Sequence, residues 1–115
     1  MLKPLINLKK EDTVAEAIEL MKKYDIENIP VMDNGISVGA ISAGGLFNKI
    51  LSNPDIKSET IATVMEKAYP EVAFETSVER LSSFITKENG AVLSKDESGT
   101  FHIVTKYDII QSLTK

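Results

Sequence analysis

Residues 12–51 read "DTVAEAIELMKKYDIENIPVMDNGISVGAISAGGLFNKIL", and residues 76–113 read "TSVERLSSFITKENGAVLSKDESGTFHIVTKYDIIQSL". Laid side by side, the two stretches follow one order of apolar patterns, and this internal repeat decides the fold. Thr13-Val14 falls on Ser77-Val78, Pro30-Val31-Met32 on Ala91-Val92-Leu93, and Ala40-Ile41-Ser42 on Ile103-Val104-Thr105. Each half reads helix, strand, turn, strand, helix.

In the first half, Val14, Ala17, Ile18 and Met21 recur at helical spacing. Thr13 and Glu16 fit a capping box, in which hydroxyl and carboxylate each take an orphan N–H. Residues 29–32 form a short apolar strand, and Pro30 places it near an edge or a strand start. Asp33-Asn34-Gly35 signals a hairpin, because Asn and Gly accept positive φ. Residues 36–42 return as a strand, and Gly44-Gly45 opens a helix carrying Leu46, Phe47, Ile50 and Leu51. The second half predicts a capping box at Thr76 and Glu79, and a helical stripe of Val78, Leu81 and Ile85. Strands follow at 91–93 and 101–105, around a turn at 95–99, with a last helix from near Lys106. Short lead-in strands are expected at 70–74 and at Pro4-Leu5-Ile6. The chain thus divides into a first repeat at 1–55, a connector at 56–69 and a second repeat at 70–115. A half of about 55 residues is marginal by itself. The expected architecture is therefore α/β (α+β): two pseudo-symmetric βαββα halves packed sheet-to-sheet, helices outside, with a cleft between them.

The bulk numbers exclude several functions. Thirteen Lys and Arg stand against 17 Asp and Glu, a formal net charge of −4, so the broad basic face that nucleic acid requires is not expected. There is no cysteine, hence no disulfide frame and no thiolate nucleophile, which suits a cytoplasmic chain. No apolar run approaches the roughly 18–20 residues of a membrane span, and the first residues lack a signal-peptide core. No P-loop or zinc spacing occurs, and neither Ser42 nor Ser94 has a neighbouring base motif. The carboxylates show no acid–base pairing pattern. No catalytic or metal-ligating residue is assigned, and the chain is not expected to be an enzyme.

One spacing stands out. Thr105 and Asp108 lie three apart where a strand becomes a helix, and helix capping alone accounts for such a pair. A second reading comes from a resemblance. The first helix with "IPVMDNG" and "VGAIS", and "HIVTKYDII" in the second half, resemble a tandem pair of cystathionine β-synthase (CBS) domains, the Bateman module. The likeness covers essentially the whole chain and is more specific in the first half. Within the family it is most similar to the C-terminal regulatory pair of cystathionine β-synthases, pyridoxal-phosphate enzymes.

The resemblance implies a regulatory module with no intrinsic cofactor. Such a module binds an adenosyl compound (S-adenosylmethionine, AMP, ADP or ATP) between its halves, controls an attached or partner enzyme, and pairs into a homodimer. Asp108 would hold the ribose, since a carboxylate at a helix start can accept both hydrogen bonds of a cis-diol, and charge-assisted bonds are the strong ones. Thr105 would be its companion, and the helix N-terminus would favour an anion. Ile103 and Tyr107 would line the cleft. Ile26, Glu27, Asn28 and Ile29 would form the opposite wall, with backbone groups reading adenine and the isoleucines covering its faces. Plain core packing accounts for the isoleucines equally well. Glu27 is either a solvated turn residue or a group that tolerates an amino or sulfonium function. Glycine stands in the first half where Asp108 stands in the second. One competent site is therefore expected, the other being empty or filled by side chains. His102 departs from the family's usual glycine and is expected to be an ordinary strand histidine. The competing reading is a non-catalytic dimerisation module with a vestigial nucleotide site.

Overall fold

The computed structural model describes residues 5–86 and 89–113. The chain is mixed α/β and divides into two compact units, one Ile6–Ala68, the other Met1–Leu5 with Tyr69–Lys115.

The first unit opens with α1 (Val14–Tyr24), whose capping box is fully formed: Thr13 accepts from the Glu16 N–H, and Glu16 accepts from the Thr13 N–H. Asp25 ends the helix in the left-handed conformation, φ 53° and ψ 53°. Strand β1 (Asn28–Asp33) turns through Asn34 and Gly35, at φ 51° and 79°, into β2 (Ile36–Ser42). The Asp33↔Ile36 pairing leaves a two-residue loop. Positive φ at both central residues matches the twist of the flanking strands. The register slips between Val31 and Met32, which leaves Val38 as the extra residue of a bulge.

Pro30 is tolerated in β1 for a visible reason. Its carbonyl accepts from the Leu8 N–H at 3.0 Å, so the donor it lacks would also face that side, away from the β2 ladder. On that side β1 forms a parallel bridge with Leu8. Of the lead-in strand expected at Pro4-Leu5-Ile6, Pro4 lies outside the described residues, and Leu5 and Ile6 are irregular and half-buried. Leu8 is almost fully enclosed in the core.

Helix α2 (Ala43–Ser52) is followed by a 3₁₀ turn (Pro54–Ser58) and the short α3 (Ile61–Val64). The stretch 56–69 is more than a tether. Ile56, Ile61 and Val64 join Leu8, Val14, Ala17, Ile29, Val31, Ile41 and Leu46 in one apolar core. Backbone bonds hold it there, with Ile61 N–H donating to Asp12 O at 2.7 Å and Val14 N–H to Glu59 O at 3.0 Å.

The second unit is built on a sheet ordered β3-β4-β5. Strand β3 (Glu71–Ala73) runs parallel to β4 (Ala91–Lys95), and β4 runs antiparallel to β5 (Phe101–Thr105). Ala91, Val92 and Leu93 are fully buried, as expected of a central strand. Helix α4 (Val78–Phe84) corrects one expectation. Its N-cap is Ser77, which accepts from the Arg80 N–H at 3.3 Å, so Thr76 and Glu79 form no capping box. Thr76 is one residue too early; its hydroxyl donates instead to the Ala73 carbonyl. The side chain of Val78, part of the predicted stripe, lies outside what the structure describes. Helix α5 (Lys106–Leu113) closes the unit.

Candidate functional site

The turn from β5 into α5 holds the two residues that the sequence singles out. Asp108 is the third residue of α5, and Thr105 precedes its first turn. Asp108 Oδ2 accepts from the Thr105 N–H at 2.9 Å and from its hydroxyl at 3.0 Å, and the Asp108 N–H reaches back to Thr105 Oγ1 at 3.4 Å. This is a capping box with Asp in the usual place of Glu. Capping is thus a real function of the pair. It does not exhaust the carboxylate, however. Both described bonds fall on Oδ2, and Oδ1 accepts none among the described residues. The group is half-buried, with its reactive edge at a helix N-terminus.

The neighbours expected with Asp108 differ in character. Ile103 is half-buried and pairs with Leu93 across the sheet. Tyr107 is 61% exposed, and its hydroxyl accepts from Gln111 Nε2 at 3.2 Å. A cavity of about 310 Å³ lies between α4 and α5, lined by Ser82, Ile85, Thr86, Lys106, Ile109 and Ile110. Neither Thr105 nor Asp108 lines it, so it is not the space a Thr105–Asp108 ligand would occupy.

In the first unit, the segment 26–29 leads from α1 into β1. Ile26 donates its N–H to Met21 O at 3.2 Å and packs against the core. The Glu27 carbonyl accepts from Ala43 N–H at 2.9 Å, and its side chain is exposed. Asn28 pairs with Ser42 at the mouth of the hairpin. Ile29 is wholly enclosed in the core.

The turn equivalent to Thr105–Asp108 is Ser42 to Gly45, at the start of α2. Ser42 Oγ accepts from the Gly45 N–H at 3.1 Å and donates to Glu66 Oε1 at 2.9 Å. The sequence reading finds no carboxylate in this turn. The structure supplies one from 24 residues away. Only the glycine in the capping-box position hinted that something else fills the place.

His102 is a strand histidine. Its Nε2 lies 2.8 Å from Asp96 Oδ2, and its ring stands 5.6 Å from that of Phe74, centroid to centroid. Asp96 organises the β4–β5 loop. Its Oδ1 accepts from the Ser98 N–H at 2.9 Å, the Ser98 hydroxyl at 2.6 Å and the Thr100 N–H at 3.0 Å. The Ser98 hydroxyl, then His102, then the Thr100 amide hold its carboxyl far below the ordinary range. The alternation Asp96, Ser98, Thr100, His102 was visible in the sequence, but its meaning depends on the hairpin. Among the described residues, no group of three or more His, Cys, Asp or Glu is placed to hold a metal, and no helix is long and apolar enough to cross a membrane.

Residues 1–52 match the family model of the CBS domain. The chain is 26% identical over 116 residues to a cystathionine beta-synthase of Dictyostelium discoideum. That match takes in 96% of this chain and 23% of the enzyme, so the chain spans under a quarter of its curated relative. A CBS-domain-containing protein of Agrobacterium tumefaciens shares the fold with a TM-score of 0.85 at 13% identity, over 96% of this chain and 90% of the other. A CBS-domain pair solved in complex with 5′-methylthioadenosine and S-adenosyl-L-methionine has a TM-score of 0.79 at 24% identity, over 96% and 92% of the two chains.

Proposed function

From a chain that carries a CBS domain in residues 1–52 and folds throughout like a CBS-domain pair, we propose a regulatory module that binds an adenosyl compound and controls an attached or partner enzyme. Asp108 is the ribose anchor and Thr105 its companion. Ile103 and Tyr107 flank them, and the segment of Ile26, Glu27, Asn28 and Ile29 supplies the adenine contacts, Asn28 and the backbone more than the enclosed Ile29. What carries the reading is the spare oxygen of Asp108: the cap uses Oδ2 and leaves Oδ1 for a diol. It is supported by a structural neighbour that holds 5′-methylthioadenosine and S-adenosyl-L-methionine. The regulated enzyme is proposed to be of the cystathionine β-synthase kind, on the strength of the Dictyostelium relative. Regulation requires unequal affinity for two conformations, because equal binding shifts nothing.

Assembly of two copies is a second reading with its own observation. Phe47 and Leu51 are 62% and 66% exposed one turn apart on α2, and Tyr107 and Ile110 of α5 are also exposed. Apolar side chains exposed together on one helix mark contact surfaces.

The test is thermal denaturation of the apo chain with S-adenosylmethionine, 5′-methylthioadenosine, AMP, ADP, ATP and adenosine, repeated on Asp108→Ala. A stabilisation by one of these ligands that disappears in the variant is expected. No stabilisation by any of them, in protein freed of carried-over nucleotide, refutes the adenosyl reading and leaves the assembly module.

A further inference from the structure

We propose that Glu66 closes the strand–helix turn of the first unit, limiting the chain to one adenosyl ligand; the stoichiometric part rests on the function proposed above. The two capping turns differ in where their carboxylate originates. At Thr105 the carboxylate belongs to the turn itself, three residues on, and keeps an oxygen free. At Ser42 the third helical residue is Gly45, and the carboxylate of Glu66 arrives from elsewhere in the chain.

The two oxygens of Glu66 have different neighbours. Oε1 accepts the Ser42 hydroxyl at 2.9 Å, and Oε2 lies 3.8 Å from Lys49 Nζ. The ion pair is exposed and contributes little by itself. Position comes from the backbone. Ala40 N–H donates to Glu66 O at 3.0 Å, and Glu66 N–H to Ala40 O at 2.8 Å, which ties residue 66 to the edge of β2. The carboxylate then lies directly over Gly45, where a Cβ would collide with it. Ile41, Ser42, Leu46, Lys49, Val64 and Glu66 enclose a space too small for a water molecule. Glycine at this position admits the carboxylate that lies over it, so Glu66 takes the place in this turn that Asp108 takes in the other.

The geometry makes an unusual prediction of sign. Asp at the third position of a Ser-capped helix normally stabilises it. Here Gly45→Asp should lower the melting temperature, because the new side chain and Glu66 compete for one place with like charge. In the Glu66→Ala background the same substitution should raise it, since Ser42 and the introduced carboxylate can then form an ordinary capping box. The experiment is the melting of wild type, Gly45→Asp, Glu66→Ala and the double variant. Titration calorimetry of wild type and double variant with S-adenosylmethionine and with AMP accompanies it. A reversed sign, with one equivalent bound by wild type and two by the double variant, is the expected result. The same sign in both backgrounds overturns the closure. A reversed sign with one equivalent in both proteins overturns the claim that Glu66 sets stoichiometry. A reversed sign with no binding to either protein upholds the closure and removes the adenosyl reading instead.

Discussion

Asp108 carries two roles that one substitution can separate. As a cap it gives Thr105 two acceptor contacts through Oδ2; as a ligand anchor it offers Oδ1. Removing the carboxylate of the capping box with Asp108→Ala should cost about 1 kcal/mol, within the usual range for such helix-end groups. An unfolding entropy of about 2.1 cal/mol/K per residue converts this, for a chain of 115 residues, into a melting temperature lower by about 4 °C. Asp108→Glu behaves differently. Glu is the common partner in a capping box, so the apo protein should melt within about 2 °C of wild type. The extra methylene nevertheless moves the carboxylate off the diol. A ligand at about 100 times its dissociation constant stabilises wild type by about 2.7 kcal/mol, or about 11 °C on the same conversion. Losing about 2 kcal/mol of charge-assisted bonding weakens binding roughly 30-fold and leaves a shift of about 4 °C. Differential scanning fluorimetry of the three proteins, with and without ligand, reads both numbers. Full ligand stabilisation in Asp108→Glu refutes the diol contact. An unchanged apo melting temperature in Asp108→Ala refutes the cap.

The β4–β5 loop should respond to acid. The folded pKa of Asp96 lies below its unfolded value of about 3.8, so its contribution is complete above about pH 4 and fades as the pH falls below that. The melting gap between wild type and Asp96→Asn should close as the pH falls from about 4 towards 2; a gap that persists there contradicts the loop geometry. Ile61 is fully enclosed in the core of the first unit, so Ile61→Ala should cost about 2–5 kcal/mol in urea denaturation. A loss below about 1 kcal/mol would mean that the stretch after α2 is only a tether. Phe47→Glu places a charge on the exposed face of α2, and sedimentation should show assembly lost with the melting temperature little changed. A wild type that sediments as a monomer at every concentration removes the assembly reading.

Features that depend on short separations are legible in the sequence. The two-residue hairpin at Asn34-Gly35 and the capping pairs Thr13–Glu16 and Thr105–Asp108 are encoded within four residues of one another. The apolar alternation marked each strand, and the repeat marked the order of elements. Even locally, the placement of a cap depended on where the helix begins, which is why Ser77 rather than Thr76 caps α4. The long-range partners emerge with the folded chain. Leu8 bridges to β1, Ile61 and Val64 fill the core, and Glu66 stands over Gly45. These contacts join residues some 20 or more apart, a spacing that matches no helical or strand period, so no local pattern announces them. They form because a small unit must bury whatever apolar surface the chain can bring back to it. The carboxylate of Glu66 comes with that returning chain, and its place is set by the backbone bonds to Ala40 rather than by any motif.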